Sequence, residues 1–197
     1  MASILNPGQQ DERLDYLVGS VLDNFSMTVC LVNYLVEHHV RKLPPPQATI
    51  HFTGQWEPAS IPGTNCGFFV NPVMTMAGVD CRRSLEFFGL KLDQKQNALV
   101  PVRNRRSDDL GIEAFGLPLA TKAQFLSATS SVLSKPVEPV VCNVHLWVDK
   151  QLAHFTQVTD IIMMQAIRDA SLVMIEAYMR LLFEALGRPR PKLNPSV

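Results

Sequence analysis

The sequence predicts an all-α protein, an antiparallel bundle of about four to five helices with an irregular Pro- and Gly-rich insertion after the first helix. Three observations lead there. Apolar residues recur at steps of three and four over long stretches, the spacing that places them on one face of a helix. Prolines and glycines gather between those stretches, where they stop helices. The stretch Pro136 to Leu186 reads as two consecutive helices meeting at Leu152–Thr156, and it supplies the main packing surface.

The first helix is expected over Asp11–Lys42. Leu14, Val18, Val21, Phe25, Thr28, Val32 and Leu35 form one seam, with Asp15, Asp23 and Glu37 off it. Pro44, Pro45 and Pro46 lack amide donors and end it. Residues 43–71, with Gly54, Pro58, Pro62, Gly63 and Gly67, read as a long loop with room for a small hairpin that includes Thr49–Thr53. Such a loop is either a lid or partner-binding arm, or an insertion packed by Trp56, Phe68 and Phe69.

The second helix is placed over Pro72–Phe88, since proline suits a first turn and Gly89 a stop. Its apolar residues are Val73, Met76, Ala77, Cys81, Leu85 and Phe88. Asp80, Arg82, Arg83 and Glu86 fall elsewhere, so Glu86 can pair with either arginine across one turn, or an arginine can face a ligand. From Lys91 to Leu119 the chain turns polar. Arg103, Arg105 and Arg106 are followed by Asp108 and Asp109, which points to a solvated turn rather than a phosphate grip. Ser107 or Asp108 can cap a short helix toward Phe115. Thr121 with Gln124 has the form of a capping box that starts a helix over Lys122–Leu133.

After Pro136 and Pro139 a helix is expected over Val140–His154. Val141, Val144, Val148 and Leu152 share its apolar face, and Asn143, Trp147, Lys150 and His154 gather on another. Thr156 or Thr159 caps a final helix, Thr159–Leu186, which stops before Gly187 and Pro189. Its polar stripe is Gln165, Arg168, Asp169, Glu176, Arg180 and Glu184, with four-residue pairs Glu176–Arg180 and Arg180–Glu184. A helix so apolar elsewhere needs partners on several sides. The tail 188–197, rich in Pro, Arg and Lys, is expected to be disordered.

With 197 residues the chain fits a single domain over 1–187. It carries 18 Lys and Arg against 18 Asp and Glu, so no global basic field holds nucleic acid, and any such contact is local. Cys30, Cys66, Cys81 and Cys142 form no Cys-x-x-Cys pair and follow a polar Met1–Arg13, which suggests reduced, buried thiols in a cytoplasmic protein. The most apolar stretch, Ile161–Leu186, is broken by charges, so no membrane contact is expected.

His154, at a helix end, is the leading candidate for chemistry. Carbonyl dipoles there favour the imidazolium, which suits phosphate binding or proton transfer, although a capping or packing role is the simpler reading. His145 and Asp149 lie four residues apart, as two metal ligands would, but two are too few for a site. Adjacent His38 and His39 point in different directions, and His51 lies in the loop. No metal or other cofactor is expected. Glycine-rich phosphate loops and the Gly-x-Ser-x-Gly elbow do not occur.

Three segments, CRRSLEFFGL at Cys81–Leu90, DDLGIEAF at Asp108–Phe115 and VDKQLAHFT at Val148–Thr156, resemble in order and spacing the abortive-infection-like branch of the HEPN helical superfamily, or helical proteins near it. The likeness covers Val73–Leu186. It implies a dimer with a motif across its interface and, in active members, a metal-independent ribonuclease with an arginine four to six residues before a histidine. Here the histidine corresponds to His154, but Val148 or Asp149 stands at the arginine position. Neither can neutralise a scissile phosphate as arginine does.

Two readings follow. The first is an inactive interaction or regulatory protein of HEPN type, in phage defence or a toxin–antitoxin system, with RNA or a protein as partner. Asn143, Trp147 and Arg82 would form its binding surface. The second is a ribonuclease using His154 and Lys150 with Arg83 borrowed from the second helix. A homodimer is expected in either case, because the first and last helices carry more apolar surface than a four-helix bundle covers.

Overall fold

The computed structural model describes residues 4–43, 47–52, 59–65, 67–103, 109–153 and 161–194; side chains of residues 47–52, 59–65, 67–69 and 151–153 are not described. The chain is mostly α-helical. Helix α1 (Pro7–Tyr16) continues through a π-helical segment, Leu17–Leu22, into α2 (Asp23–Val40). An antiparallel hairpin, β1 (Gln47–Phe52) with β2 (Ala59–Asn65), leads to α3 (Gly67–Phe88). A second hairpin, β3 (Leu90–Asp93) with β4 (Ala98–Pro101), precedes a 3₁₀ turn, Ile112–Phe115. Helices α4 (Lys122–Thr129), α5 (Val137–Ala153) and α6 (Ile161–Tyr178) follow, and α6 runs on into a second π-helical segment, Met179–Glu184.

The first helix begins earlier than its apolar seam. Asn6 accepts from the Gln9 amide and Gln9 from the Asn6 amide, a capping box with Pro7 at the first helical position. The seam itself changes register. Leu14, Leu17, Leu22, Phe25, Val29 and Val32 are buried, and the five-residue step from Leu17 to Leu22 coincides with the π-helical segment. A spacing of three and four cannot anticipate that step, because the π-helix advances its hydrogen bonds by five residues.

Helix α3 also starts before its expected position, at Gly67, so Pro72 lies inside it. The helix tolerates a lost amide donor there because Val70, Met74 and Ala77 around it are buried in the core. Pro139 sits in the first turn of α5, where its missing N–H has no helical partner to lose, so that helix starts at Val137. Gly89, at φ +88°, stops α3; a Cβ there would lie 2.9 Å from Leu119 Cδ2. The stretch after Lys91, read only as polar, begins with the β3–β4 hairpin, and most of the solvated turn expected at Arg103–Asp109 lies outside the described residues. Leu90, Leu92 and Leu99 are buried, and Asp93 Oδ1 accepts from the amides of Lys95 (2.9 Å) and Gln96 (3.3 Å) to close it. Alternating apolar residues in Leu90–Asp93 were the available sign.

The core lies where α2, α3, α5 and α6 meet, with α4 against α5 and α6. An aromatic group fills its centre: Phe88 lies 4.9 Å from Tyr178, 5.2 Å from Phe87 and 6.2 Å from Phe125, centroid to centroid. The Thr121–Gln124 capping box forms as the sequence predicts and starts α4 at Lys122. Glu138, in the first turn of α5, accepts from the Leu99 amide at 2.8 Å and pairs with Lys122 at 2.7 Å, tying α5 to β4 and α4. Partial burial opposes its ionisation, but the Lys122 hydrogen bond, the Leu99 amide and the Lys122 charge hold its pKa below the ordinary value.

A lowered carboxyl pKa means stability that is present above the unfolded-state pKa and lost as the pH falls through the folded-state value. Glu138→Gln is therefore expected to cost about 1–2 kcal/mol at pH 7 and to cost nothing once both states are protonated. Urea unfolding at pH 7 and in the acid range checks this; an equal cost at both would remove the charge from the account.

Two polar expectations are corrected by the fold. Asp169 does not lie on a solvated stripe of the last helix; it is buried, with Lys135 at 2.7 Å and Arg168 at 2.9 Å. Glu176 pairs with Arg180 as expected, but Glu184 pairs with Arg190 at 2.6 Å, since the π-helical segment breaks the four-residue spacing from Arg180. The tail segment 188–194, expected to be disordered, is tied down. Arg188 pairs with Asp11 at 2.6 Å, Arg190 with Glu176 and Glu184, and Asp23 accepts from the Asn194 amide at 2.8 Å. The tail arginines find acids on the first helix, on α6 and on the second π segment, which charge counting along the tail alone could not show.

Candidate ligand-binding cleft

The π-helical turn that shifts the first helix also opens a cleft of about 510 Å³. Leu17, Ser20 and Val21 of that turn face Met76, Asp80, Arg83, Ser84 and Phe87 of α3, with Asn24 of α2, Tyr16 of α1, Leu110 and Tyr178 of α6 completing the wall. Its size falls within the range of roughly 300–1,000 Å³ usual for small-molecule sites, and π turns recur at functional positions. Tyr16, Met76 and Leu110 stand exposed at the cleft, while Asp80, Ser84 and Tyr178 are buried.

The polar groups are coupled across elements. Asn24 Nδ2 donates to Asp80 Oδ2 at 2.7 Å, and the Tyr178 hydroxyl donates to Ser84 Oγ at 3.2 Å. Arg83 Nη1 stands 3.9 Å from Asp80 Oδ1, an ion-pair distance beyond hydrogen-bond reach. Burial pushes the Asp80 pKa up, against the lowering pull of the Asn24 hydrogen bond and the Arg83 charge. Burial likewise lifts the Tyr178 phenol, although Ser84 opposes it. A buried carboxyl lining a cleft makes the site a candidate for function.

A second cavity of about 500 Å³ adjoins the first through Arg83, Phe87 and Leu110, and adds Glu86, Lys91, Val102 and Asp109. The cleft is therefore one end of a longer surface along α3.

The residues singled out from sequence are divided by this geometry. Arg83 lines the cleft; it is paired with Asp80 rather than with Glu86. Arg82 faces the other way, toward α5, where it pairs with Asp149 at 3.0 Å, and it also pairs with Glu86 of its own helix at 3.4 Å. Gln94 also donates to Asp149, at 2.9 Å, and buried His145 has its Nδ1 3.5 Å from the same carboxylate. Burial pushes the His145 pKa down, against the pull of Asp149. Asn143 and Lys150 are exposed on α5, and Trp147 is half-buried against the core. Among the described residues none of α5 lines the cleft, so Lys150 and Arg83 belong to different surfaces. His154 lies outside the described residues, as do Arg105, Arg106, Trp56, Cys66 and the caps proposed at Ser107, Asp108, Thr156 and Thr159.

Of the described cysteines, Cys81 and Cys142 are buried free thiols and Cys30 is half-buried. Burial raises the Cys81 pKa, with a further push from Asp80, and lifts Cys142 to about 11, which makes these two poor nucleophiles. Among the described residues no group of three or more His, Cys, Asp or Glu is placed to hold a metal ion, and no helix is long and apolar enough to cross a membrane.

Asp80 and Asn24 were not anticipated. The carboxylate looked like part of the solvated side of α3, and its partner comes from another helix. Met76, expected on the apolar seam of α3, stands exposed at the rim of the cleft instead. Compared with known proteins, the chain matches no family model, no curated protein and no solved structure.

Proposed function

We propose that this chain is a helical binding protein of regulatory type, whose ligand enters the cleft between the π-helical turn and α3. The observation that carries this reading is Asp80, a buried carboxyl at a cleft with exposed apolar walls, hydrogen-bonded from the neighbouring helix. Binding there bridges α2, α3 and α6, so occupancy stiffens the contact on which the core depends. The three HEPN-like segments agree with an interaction or regulatory role in phage defence or a toxin–antitoxin system, with the antiparallel helical bundle and homodimer that the resemblance implies. Within the described part of the last helix Ile162 is exposed and the other large apolar side chains are buried or half-buried, so the proposed dimer would use mainly the first helix, where Met27 and Tyr34 are exposed.

A thermal-shift screen of a small-molecule library tests the reading. A ligand at a hundred times its Kd adds about 2.7 kcal/mol to the stability of a single-site protein, an easily read rise in Tm. Compounds that stabilise the wild type are expected to lose their effect on Ser20→Trp, which plugs the cleft from an exposed position. A screen without hits, or with hits indifferent to the plug, defeats the proposal.

A further inference from the structure

Resting on that reading, we propose that the cleft selects organic cations, a primary ammonium carried on an apolar or aromatic body, and that the ammonium seats on Asp80.

The ion pair between Asp80 and Arg83 is incomplete. A carboxylate taken out of water needs either a close cation or a full set of hydrogen bonds. The Asp80 side chain is 8% exposed, and one oxygen accepts from Asn24. The other oxygen has Arg83 at 3.9 Å, and that arginine is 72% exposed, so solvent screens its charge and little holds it in place. Asp80 Oδ1 is therefore the group at the cleft with the most to gain from a cation arriving through it.

The walls fit the rest of such a ligand. Tyr16, an exposed aromatic residue at the rim, is the ring open to an ammonium, and Leu17, Val21, Met76 and Leu110 line the wall where an alkyl or aryl body would lie. Because the Tyr178 hydroxyl donates to Ser84 Oγ, the Ser84 proton remains to be directed elsewhere, a second anchor for a ligand bearing an acceptor. An anionic ligand meets Asp80 unfavourably, and a neutral one leaves its charge as poorly compensated as before. Arg83 swings into solvent when the ammonium takes its place.

Three compounds of one shape separate these cases: 2-phenylethylamine, 2-phenylethanol and 3-phenylpropionate, titrated calorimetrically into the full chain. The amine is expected to bind at least about tenfold more tightly than the other two, since a charge-assisted hydrogen bond gives roughly that ratio. Asp80→Asn keeps the size of the side chain and is expected to abolish the preference; its melting curve shows whether the fold is kept. Arg83→Gln, which removes the competing cation, is expected to tighten amine binding in a folded protein and supplies the second variant. Equal binding of the three, or a preference for the alcohol or the acid, overturns the cation assignment and leaves the binding cleft standing. Absence of binding by the amine overturns it too. Failure of the cleft itself is recognised separately, by library hits that ignore Ser20→Trp.

Discussion

Phe88→Ala is expected to lower the free energy of unfolding by about 3–5 kcal/mol, the usual cost of removing a fully buried phenylalanine. Natural domains have only about 5–15 kcal/mol in total, so a large share of the stability rests on this ring. Phe88 is wholly buried and touches three other rings, Phe87, Phe125 and Tyr178. Its neighbours cannot close the gap freely, because each is held by a different element: Phe125 by α4, Tyr178 by α6, and Phe87 by α3 and by Phe115 of the 3₁₀ turn. The cavity is thus expected to stay largely open, which places the cost at the upper end. Urea denaturation at 25 °C measures it, and a loss under about 1 kcal/mol would mean that Phe88 is not where the helices meet. Since Tyr178 lines the cleft, the same variant should also weaken any ligand held there.

Gly78→Ala is expected to destabilise by about 1–3 kcal/mol, the cost of overpacking a well-filled core. The sign makes this informative. At an open helical position the same change stabilises by about 1 kcal/mol, because glycine is a poor helix former. At Gly78 an added Cβ would lie 2.2 Å from Val148 Cγ2 and 3.4 Å from Trp147. Val148 is fully buried and β-branched, so its side chain has little freedom to turn away. In a Val148→Ala background the penalty should vanish or reverse, a non-additivity readable in a double-mutant cycle. A stabilising Gly78→Ala in the wild-type background would show that α3 and α5 do not approach closely there.

Gly78 also explains the fate of Trp147. As part of a face with Asn143, Lys150 and His154, it reads as a binding residue, and its spacing on α5 is indeed that of its exposed neighbours. The glycine opposite lets α5 come close enough for the indole to pack against α3. Local spacing places a side chain on a face; the residue across from it determines whether that face is wet.

Asp80 makes the same point for the cleft. Its position on α3 was legible, but its burial was not, because a carboxylate at helical spacing from Arg83 and Glu86 has every local reason to face water. Asn24, on a helix remote in sequence, supplies the hydrogen bond that makes burial tolerable. Ser20 within the π-helical turn Leu17–Leu22 and Asn24 just after it line the same cleft as Asp80.

What the sequence determined alone is the helical character of the chain and the approximate place of each long helix. Apolar periodicity, capping side chains such as Thr121 and Gln124, and glycine stops such as Gly89 act within one or two turns, so they can be read without knowing the partners. The tertiary structure alone decided which polar groups leave water and where the ligand cleft opens. Those outcomes depend on pairs remote along the chain, Asn24 with Asp80 and Tyr178 with Ser84, and a buried polar group is stable only when such a partner arrives.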